Sequence, residues 1–438
     1  MIARVLMRSS VVLVVAAGAV AAYLASPPDL VTPTSSTYSI VPPSPMVACP
    51  GPQRVPVGSV GAGGDLASEP TVRTFEVLSP VPTSPAGDGQ IADTPIAAQM
   101  ERIGNGDIEG WSAMSCGQPM FDQWLVGGAT ALGSSARLVL SNPSGAPTEA
   151  TVTVYGPLGQ VQDTLIVPVE PGAQADRLLE AVAAELPAMV VRVQATGPGV
   201  VAALQDSRLE GFQPAGTEWV APSDLAETLV IPAVGADDPN ATVTVRLMSP
   251  TGASVDLALM SNQGIQSWSV GSAFSLEAGV VTDIEVPSGL VGAIEVRADA
   301  PVLAAARTVV PREPREAIMG DVAYDHMWVS GEALVAGTLT GVLPLAGARI
   351  ALYSPTTEHV QVTDAGGATV GEADVKAGTV QWIDVSAPVG TVLSTRGEFA
   401  WAFVMASNVG YLASSAPVAT GQGDLRATVA PARYPAGR

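Results

Sequence analysis

A strand-and-turn phrase that occurs three times restricts this chain more than any other feature. Arg137-Leu-Val-Leu-Ser-Asn-Pro143 recurs as Arg246-Leu-Met-Ser-Pro250 and as Arg349-Ile-Ala-Leu-Tyr-Ser-Pro355, at spacings of 109 and 103 residues. Turn glycines keep step at Gly159, Gly264 and Gly367, with intervals of 105 and 103. A glycine ahead of a strand marks each copy again, at Gly172, Gly279 and Gly378. Each copy ends on a small-residue apolar run: Val200-Val-Ala-Ala-Leu204, Val302-Leu-Ala-Ala-Ala306 and Tyr411-Leu-Ala-Ser-Ser415. Landmarks in one order at one period describe a duplicated folding unit.

Within a unit, Ala150-Thr-Val-Thr-Val-Tyr155 and Ala241-Thr-Val-Thr-Val-Arg246 alternate apolar side chains with polar or β-branched ones, the period that buries one face of a strand. Such runs return about every 8–12 residues between Gly, Pro, Asn and Asp clusters, the cadence of an all-β fold. A unit of roughly 100 residues then suits an antiparallel two-sheet sandwich of immunoglobulin-like kind, although the Cys-Trp-Cys core of antibody domains is missing. The expected sandwiches span residues 119–214, 215–318 and 319–425, with a tail over 426–438. One segment breaks the pattern. In Asp176-Arg-Leu-Leu-Glu-Ala-Val-Ala-Ala-Glu-Leu186, the residues Leu178, Leu179, Val182 and Leu186 share a helical face, and Pro187 stops the run. This spacing predicts a helix crossing the first sandwich.

Upstream of the repeats, Arg4 and Arg8 precede an uncharged apolar stretch over residues 9–28, long enough to cross a bilayer as a helix. Residues 1–28 are therefore expected to be either an uncleaved transmembrane anchor with its N-terminus inside or a signal peptide read at Ala19-Val20-Ala21. Both place the remainder at the extracytoplasmic face, and cleavage would release it as a secreted protein. Residues 29–45 are rich in Pro, Ser and Thr and read as a stalk. Residues 46–118 carry Cys49 and Cys116, the whole cysteine complement, in a β-rich unit that a disulfide would staple. Closing a loop of 66 residues contributes about 4 kcal/mol in the chain-entropy account; the alternative is a pair of buried free thiols.

Charge narrows the partners. Acidic residues outnumber basic ones 41 to 20, for a net charge of -21. That balance excludes unspecific nucleic-acid binding, which draws its affinity from Lys and Arg on phosphates. It also repels strongly anionic wall polymers, leaving another envelope protein or a neutral glycan as the expected partner.

Motifs for catalysis are absent: there is no Gly-x-Ser-x-Gly elbow, Ser-x-x-Lys pair or phosphate loop. No catalytic residue, metal site or cofactor is expected. His326 and His359 lack zinc spacing, and Tyr324-Asp-His-Met-Trp328 reads as an exposed loop before a strand. The carboxylate pairs Asp283 with Glu285 and Glu372 with Asp374 sit two apart and read as solvated strand faces. Asp237-Asp238 fits a surface turn, with a calcium loop as the alternative. Trp111 and Trp124 flank Cys116 and are the candidate glycan platform, against the plainer reading that they pack on the disulfide. Trp268 and Trp382 read as core residues.

Ser115-Cys-Gly-Gln-Pro119, Trp124-Leu-Val-Gly-Gly128, Arg137-Leu-Val-Leu-Ser-Asn-Pro143 and Val154-Tyr-Gly-Pro-Leu-Gly159 together resemble a family of uncharacterised actinobacterial envelope proteins with an N-terminal apolar segment and β-rich repeats. The resemblance implies extracytoplasmic placement and association with cell-envelope glycan assembly; it brings no catalytic residue. The expected function is a non-enzymatic scaffold, spacer or binding module. The alternatives are an accessory subunit of a membrane glycan-assembly enzyme, held through its apolar segment, and a wall-acting hydrolase or transferase with unrecognised carboxylates.

Overall fold

Alternating side chains build this fold. Along Ala253–Ser261, Ser254 and Asp256 face solvent while Val255, Leu257 and Leu259 are buried. The computed structural model describes residues 36–40, 46–55, 70–80, 83–86, 89–92, 96–211, 213–266, 268, 271–313, 322–420 and 425–429. Over these the protein is all-β, its ladders antiparallel, with a 3-10 turn at Leu179–Ala181. The expected anchor or signal over 1–28 lies outside the described residues, and among those described no helix is long and apolar enough to cross a membrane. Of the expected stalk, Ser36–Ile40 is described, paired antiparallel with Leu425–Val429, which runs from the expected end of the third sandwich into the expected tail. The remaining elements belong to a second unit, Ser44–Gly421.

Three sandwiches share one topology. In the first, Val190–Ala195 lies between Asp122–Val126 and Thr148–Gly156, while Ser134–Asn142 of the other sheet lies between Ala173–Leu178 and Val201–Glu210. In the second, the first half of Gly292–Arg312 takes Ala226–Val234 and Ala253–Ser261, and Thr242–Met248 pairs with Thr282–Val286 and the second half. In the third, the first half of Val392–Ala406 takes Val335–Val342 and touches Glu358–Asp364, and Arg349–Ser354 pairs with Thr379–Asp384 and the second half. Copies two and three run one continuous strand through both sheets, turning the sandwich corner by bending. In the first copy, Gly197, Pro198 and Gly199 divide that strand in two.

A strand returning from this corner closes each sandwich: β2 (Gln213–Val220), β3 (Ala323–Ser330) and β4 (Leu412–Ser415). The N-terminal segment supplies the same hairpin, Ala98–Gly104 with β1 (Gly110–Ser115), one repeat length upstream. The segment thus contains a partial fourth copy. Its disulfide joins Cys49 to Cys116, beside a backbone bridge between Ala48 and Gly117.

The four hairpins hold the cores together in a circuit. Val139, Ala203 and Trp219 of the first sandwich pack on Met114 of β1. Met248, Leu303, Ala305 and Trp328 of the second enter the core of the first. Ala351, Tyr353, Val380 and Ala402 of the third enter the core of the second. Met100 and Ala113 of the N-terminal hairpin then join the core of the third. Every sandwich offers the same sheet to its predecessor, and the larger side chains buried this way, such as Val139, Leu303, Met248 and Val380, contribute about 1.5–3 kcal/mol each.

The predicted helix over 176–186 is corrected. Ala173–Leu178 is a strand, followed by a 3-10 turn at Leu179–Ala181. Pairing with Ser134–Asn142 and the Asp176–Arg137 ion pair overrule the helical spacing, while Leu179 fills the core.

Candidate functional site

Where β1 to β4 meet, two carboxylates are buried completely. Glu218 on β2 accepts hydrogen bonds from the backbone N–H groups of Trp219 at 2.8 Å, Ala113 at 3.2 Å and Ser414 at 3.3 Å. Asp325 on β3 accepts from those of Leu412 and His326, each at 3.0 Å, and Trp111 at 3.3 Å. These side chains therefore act as carbonyl substitutes, tying β1 and β4 to strands with which they form no ladder. The approach is close: a Cβ on Gly110 would stand 2.7 Å from Asp325 Oδ1, and one on Gly216 2.4 Å from His326 Nδ1. Burial pushes the Glu218 carboxyl well above its ordinary range, with Asp325 adding to the rise, and pushes Asp325 up to about 8, in both cases against the amide donors.

A second polar layer surrounds them. Arg312 pairs with Glu109 at 3.1 Å, Glu109 accepts the Tyr411 hydroxyl at 2.5 Å, and Tyr411 stacks on Trp111 with centroids 5.8 Å apart. Asp206 accepts Trp328 Nε1–H at 2.8 Å and pairs with Arg208 at 2.8 Å. Burial opposes ionisation of Asp206, but Arg208 and then His326 outweigh it and hold the carboxyl below its ordinary range.

Beside this layer a cleft of about 330 Å³ opens between the first and second sandwiches. Arg208, Arg307, Tyr324, His326 and Glu210 supply its polar lining. The guanidinium of Arg307 donates no hydrogen bond and makes no ion pair with any described residue, and its Nε is buried. It lies over the Trp328 ring at 5.9 Å. His326 bonds the Ala215 carbonyl through Nδ1 at 3.1 Å, while Nε2 is left 3.5 Å from Asp206, too far for a good hydrogen bond.

A model of a family of unknown function, DUF5719, matches residues 78–388, from the N-terminal sheet into the third sandwich. The chain belongs to the DUF5719 family. The match takes in the junction carboxylates and the cleft of this DUF5719 chain, together with the hairpin that supplies β1. No curated protein matches the sequence. Among solved structures, a biofilm-associated protein BSP domain aligns over 86% of this chain and 69% of its own, at 10% identity and a TM-score of 0.14. Superposition that poor carries no argument about fold or function.

Against this geometry, the DUF5719 residues singled out from sequence fall in several places. Cys49 and Cys116 are bonded, packed with Val47, Ala97 and Val77. The expectation that Trp111 and Trp124 pack on the disulfide is corrected. Trp111 stacks on Tyr411 at the edge of the third core, whereas Trp124 lies in the first core beside Tyr155 and beneath Arg192, whose guanidinium is 4.7 Å from the ring. The exposed-loop reading of residues 324–328 is also corrected: Asp325 and His326 are interior residues of β3, at 0% and 1% exposure. Among the described residues no cluster of three or more His, Cys, Asp or Glu is placed to hold a metal.

Sequence reasoning missed Glu218, Asp325, Asp206 and Arg307 as a group. Their signal was a charge inside an otherwise apolar strand, as in Glu218-Trp219-Val220. It also missed a repeated ion pair. Arg137, Arg246 and Arg349, the first residues of the recurring phrase, bind Asp176, Asp283 and Asp384 across the same strand pair, with Nε–oxygen distances of 2.9, 2.8 and 2.8 Å.

Proposed function

We propose that this protein is a non-enzymatic extracytoplasmic envelope component, a multi-sandwich scaffold with a binding face. The observation that carries the reading is the use made of the interior carboxylates: Glu218 and Asp325, the groups whose raised affinity for protons would suit acid–base work, are enclosed and committed to backbone amides of four strands. A hydrolase built on paired carboxylates needs them opposed across a substrate cleft. The cleft beside the junction is instead lined by two arginines and one carboxylate, Glu210, with no tryptophan on its wall.

The disulfide supports the placement, because such bonds persist in oxidising compartments. The apolar 1–28 segment would provide the tether and the sandwich faces the contacts with an envelope protein or glycan. Thiol trapping in the producing cell tests the reading. After acid quenching, a maleimide-polymer reagent should leave the full chain unshifted, and should shift it at both cysteines once the sample is reduced. A shift before reduction would place the protein in a reducing compartment and overturn the proposal.

A further inference from the structure

We propose that the cleft between the first and second sandwiches binds an oxyanion, a carboxylate or phosphate on a monosaccharide-sized body, with Arg307 as its principal contact. The inference rests on the reading of the chain as a binding module and names the ligand chemistry. It departs from the neutral glycan expected from net charge alone, since local charge in a low-dielectric cleft outweighs a diffuse surface excess.

The case begins with an unusual guanidinium. In a chain with twice as many acids as bases, Arg137, Arg192, Arg208, Arg246, Arg312 and Arg349 each have a carboxylate partner. Arg307 has none, and its buried Nε has no acceptor. Burial first, and then the neighbouring charge of Arg208, make its cationic form costly, bringing its pKa down to about 10; Asp206 and Asp283 oppose this and Arg246 adds to it. A guanidinium without a carboxylate, Arg307, in a cleft it shares with Arg208, whose own fork Asp206 occupies, fits a planar or tetrahedral oxyanion.

Other groups converge there. Ser134 on the wall accepts a hydrogen bond from Arg208 Nη1 at 2.9 Å, fixing that side chain, and the bidentate Asp206–Arg208 pair at 2.8 and 3.0 Å prevents it from swinging away. His326 Nε2 is a second buried nitrogen without a good hydrogen bond, 3.5 Å from the Asp206 carboxylate, and Tyr324 lies on the same wall. Glu210, the only carboxylate on the lining, is exposed and free to turn toward solvent. Leu132, Leu209 and Val309 give the apolar surface that a sugar ring or similar small body would cover. The volume sits at the lower end of the range of small-ligand pockets, roughly 300–1,000 Å³.

Calorimetric titration of the purified full chain, with its disulfide intact and at low salt, tests this with D-glucuronate, inorganic phosphate and D-glucose. Glucuronate should bind and glucose should not, and Arg307→Gln should weaken glucuronate at least about tenfold. Phosphate binding as tightly as glucuronate would assign the site to a free oxyanion; glucuronate alone would assign it to an acidic saccharide. Thr242→Trp, which fills the cleft mouth and leaves every charge in place, should also abolish binding and serves if Arg307→Gln does not fold. Absence of binding by both anions, or binding indifferent to both substitutions, overturns the proposal. Since purified protein is used, that failure would leave the thiol-trapping result standing, and the reverse holds equally.

Discussion

Single charged side chains decide how this protein is held together. A buried carboxylate costs folding energy unless donors satisfy it; Glu218 and Asp325 meet that condition through backbone N–H groups, whereas Glu101 accepts the Gln53 N–H at 2.8 Å and pairs with Arg73 at 3.0 Å. Their proton affinity then sets a pH dependence. Burial raises Glu101 to about 7 and Asp325 to about 8, so the folded state holds these protons where the unfolded chain, titrating near pH 4, has released them. Their stabilisation is complete below the unfolded value and is lost as pH rises through the folded values. Asp206 works in the opposite sense, its depressed pKa costing stability as pH falls below the ordinary carboxylate range. Urea denaturation should therefore give greatest stability near pH 4–5 and a decline of several kcal/mol, on the order of 5–10, by pH 8. Glu101→Gln should flatten part of the decline, and stability that rises steadily from pH 5 to pH 8 would contradict the assignment.

Elements repeat, but their ion pairs are used differently from copy to copy. The guanidinium of Arg246 is 3% exposed and, besides Asp283, donates to the Gly128 carbonyl at 2.6 Å and the Met189 carbonyl at 3.3 Å, both in the preceding sandwich. Arg349 holds the matching Asp384, yet both side chains are open, at 49% and 85%. Replacing Arg246 with Ala should cost about 3 kcal/mol or more, because two buried carbonyls and a carboxylate lose a donor. Arg349→Ala should cost about 1 kcal/mol or less, as exposed pairs do. Equal losses in thermal denaturation would show that the interlocking role is misassigned. These arginines were visible in the sequence because they open the recurring phrase; Asp176 and Asp283, each four residues beyond a landmark glycine, were legible in hindsight only. The strands were readable from their period-two alternation. The helix at residues 176–186 was misread because Leu178, Leu179, Val182 and Leu186 satisfy a helical period by accident, while the deciding partner, Arg137, is remote in sequence.

At the scale of the whole Ser44–Gly421 unit, the closing strands turn a series of sandwiches into a circuit. Sequence periodicity revealed three copies but not the fourth hairpin, since Ala97-Ala98-Gln99-Met100 preserves only the small-residue signature of Ala202-Ala203-Leu204-Gln205. Nor could it reveal the junction, because β1, β2, β3 and β4 come from four distant stretches and meet only through tertiary packing. The anion cleft was hidden for the same reason, with Arg208 and Arg307 contributed by different sandwiches. In such a circuit, a change at the centre is felt in the strands of other copies as well as in its own. Hydrogen exchange read by mass spectrometry on the full chain, comparing the native protein with Asp325→Ala, measures this directly. Removing that carboxylate orphans the Trp111 and Leu412 amides, and the account predicts lost protection in Gly110–Ser115 and Leu412–Ser415 as well as in Ala323–Ser330. Protection lost in Ala323–Ser330 alone, with the other two segments unchanged, would contradict it.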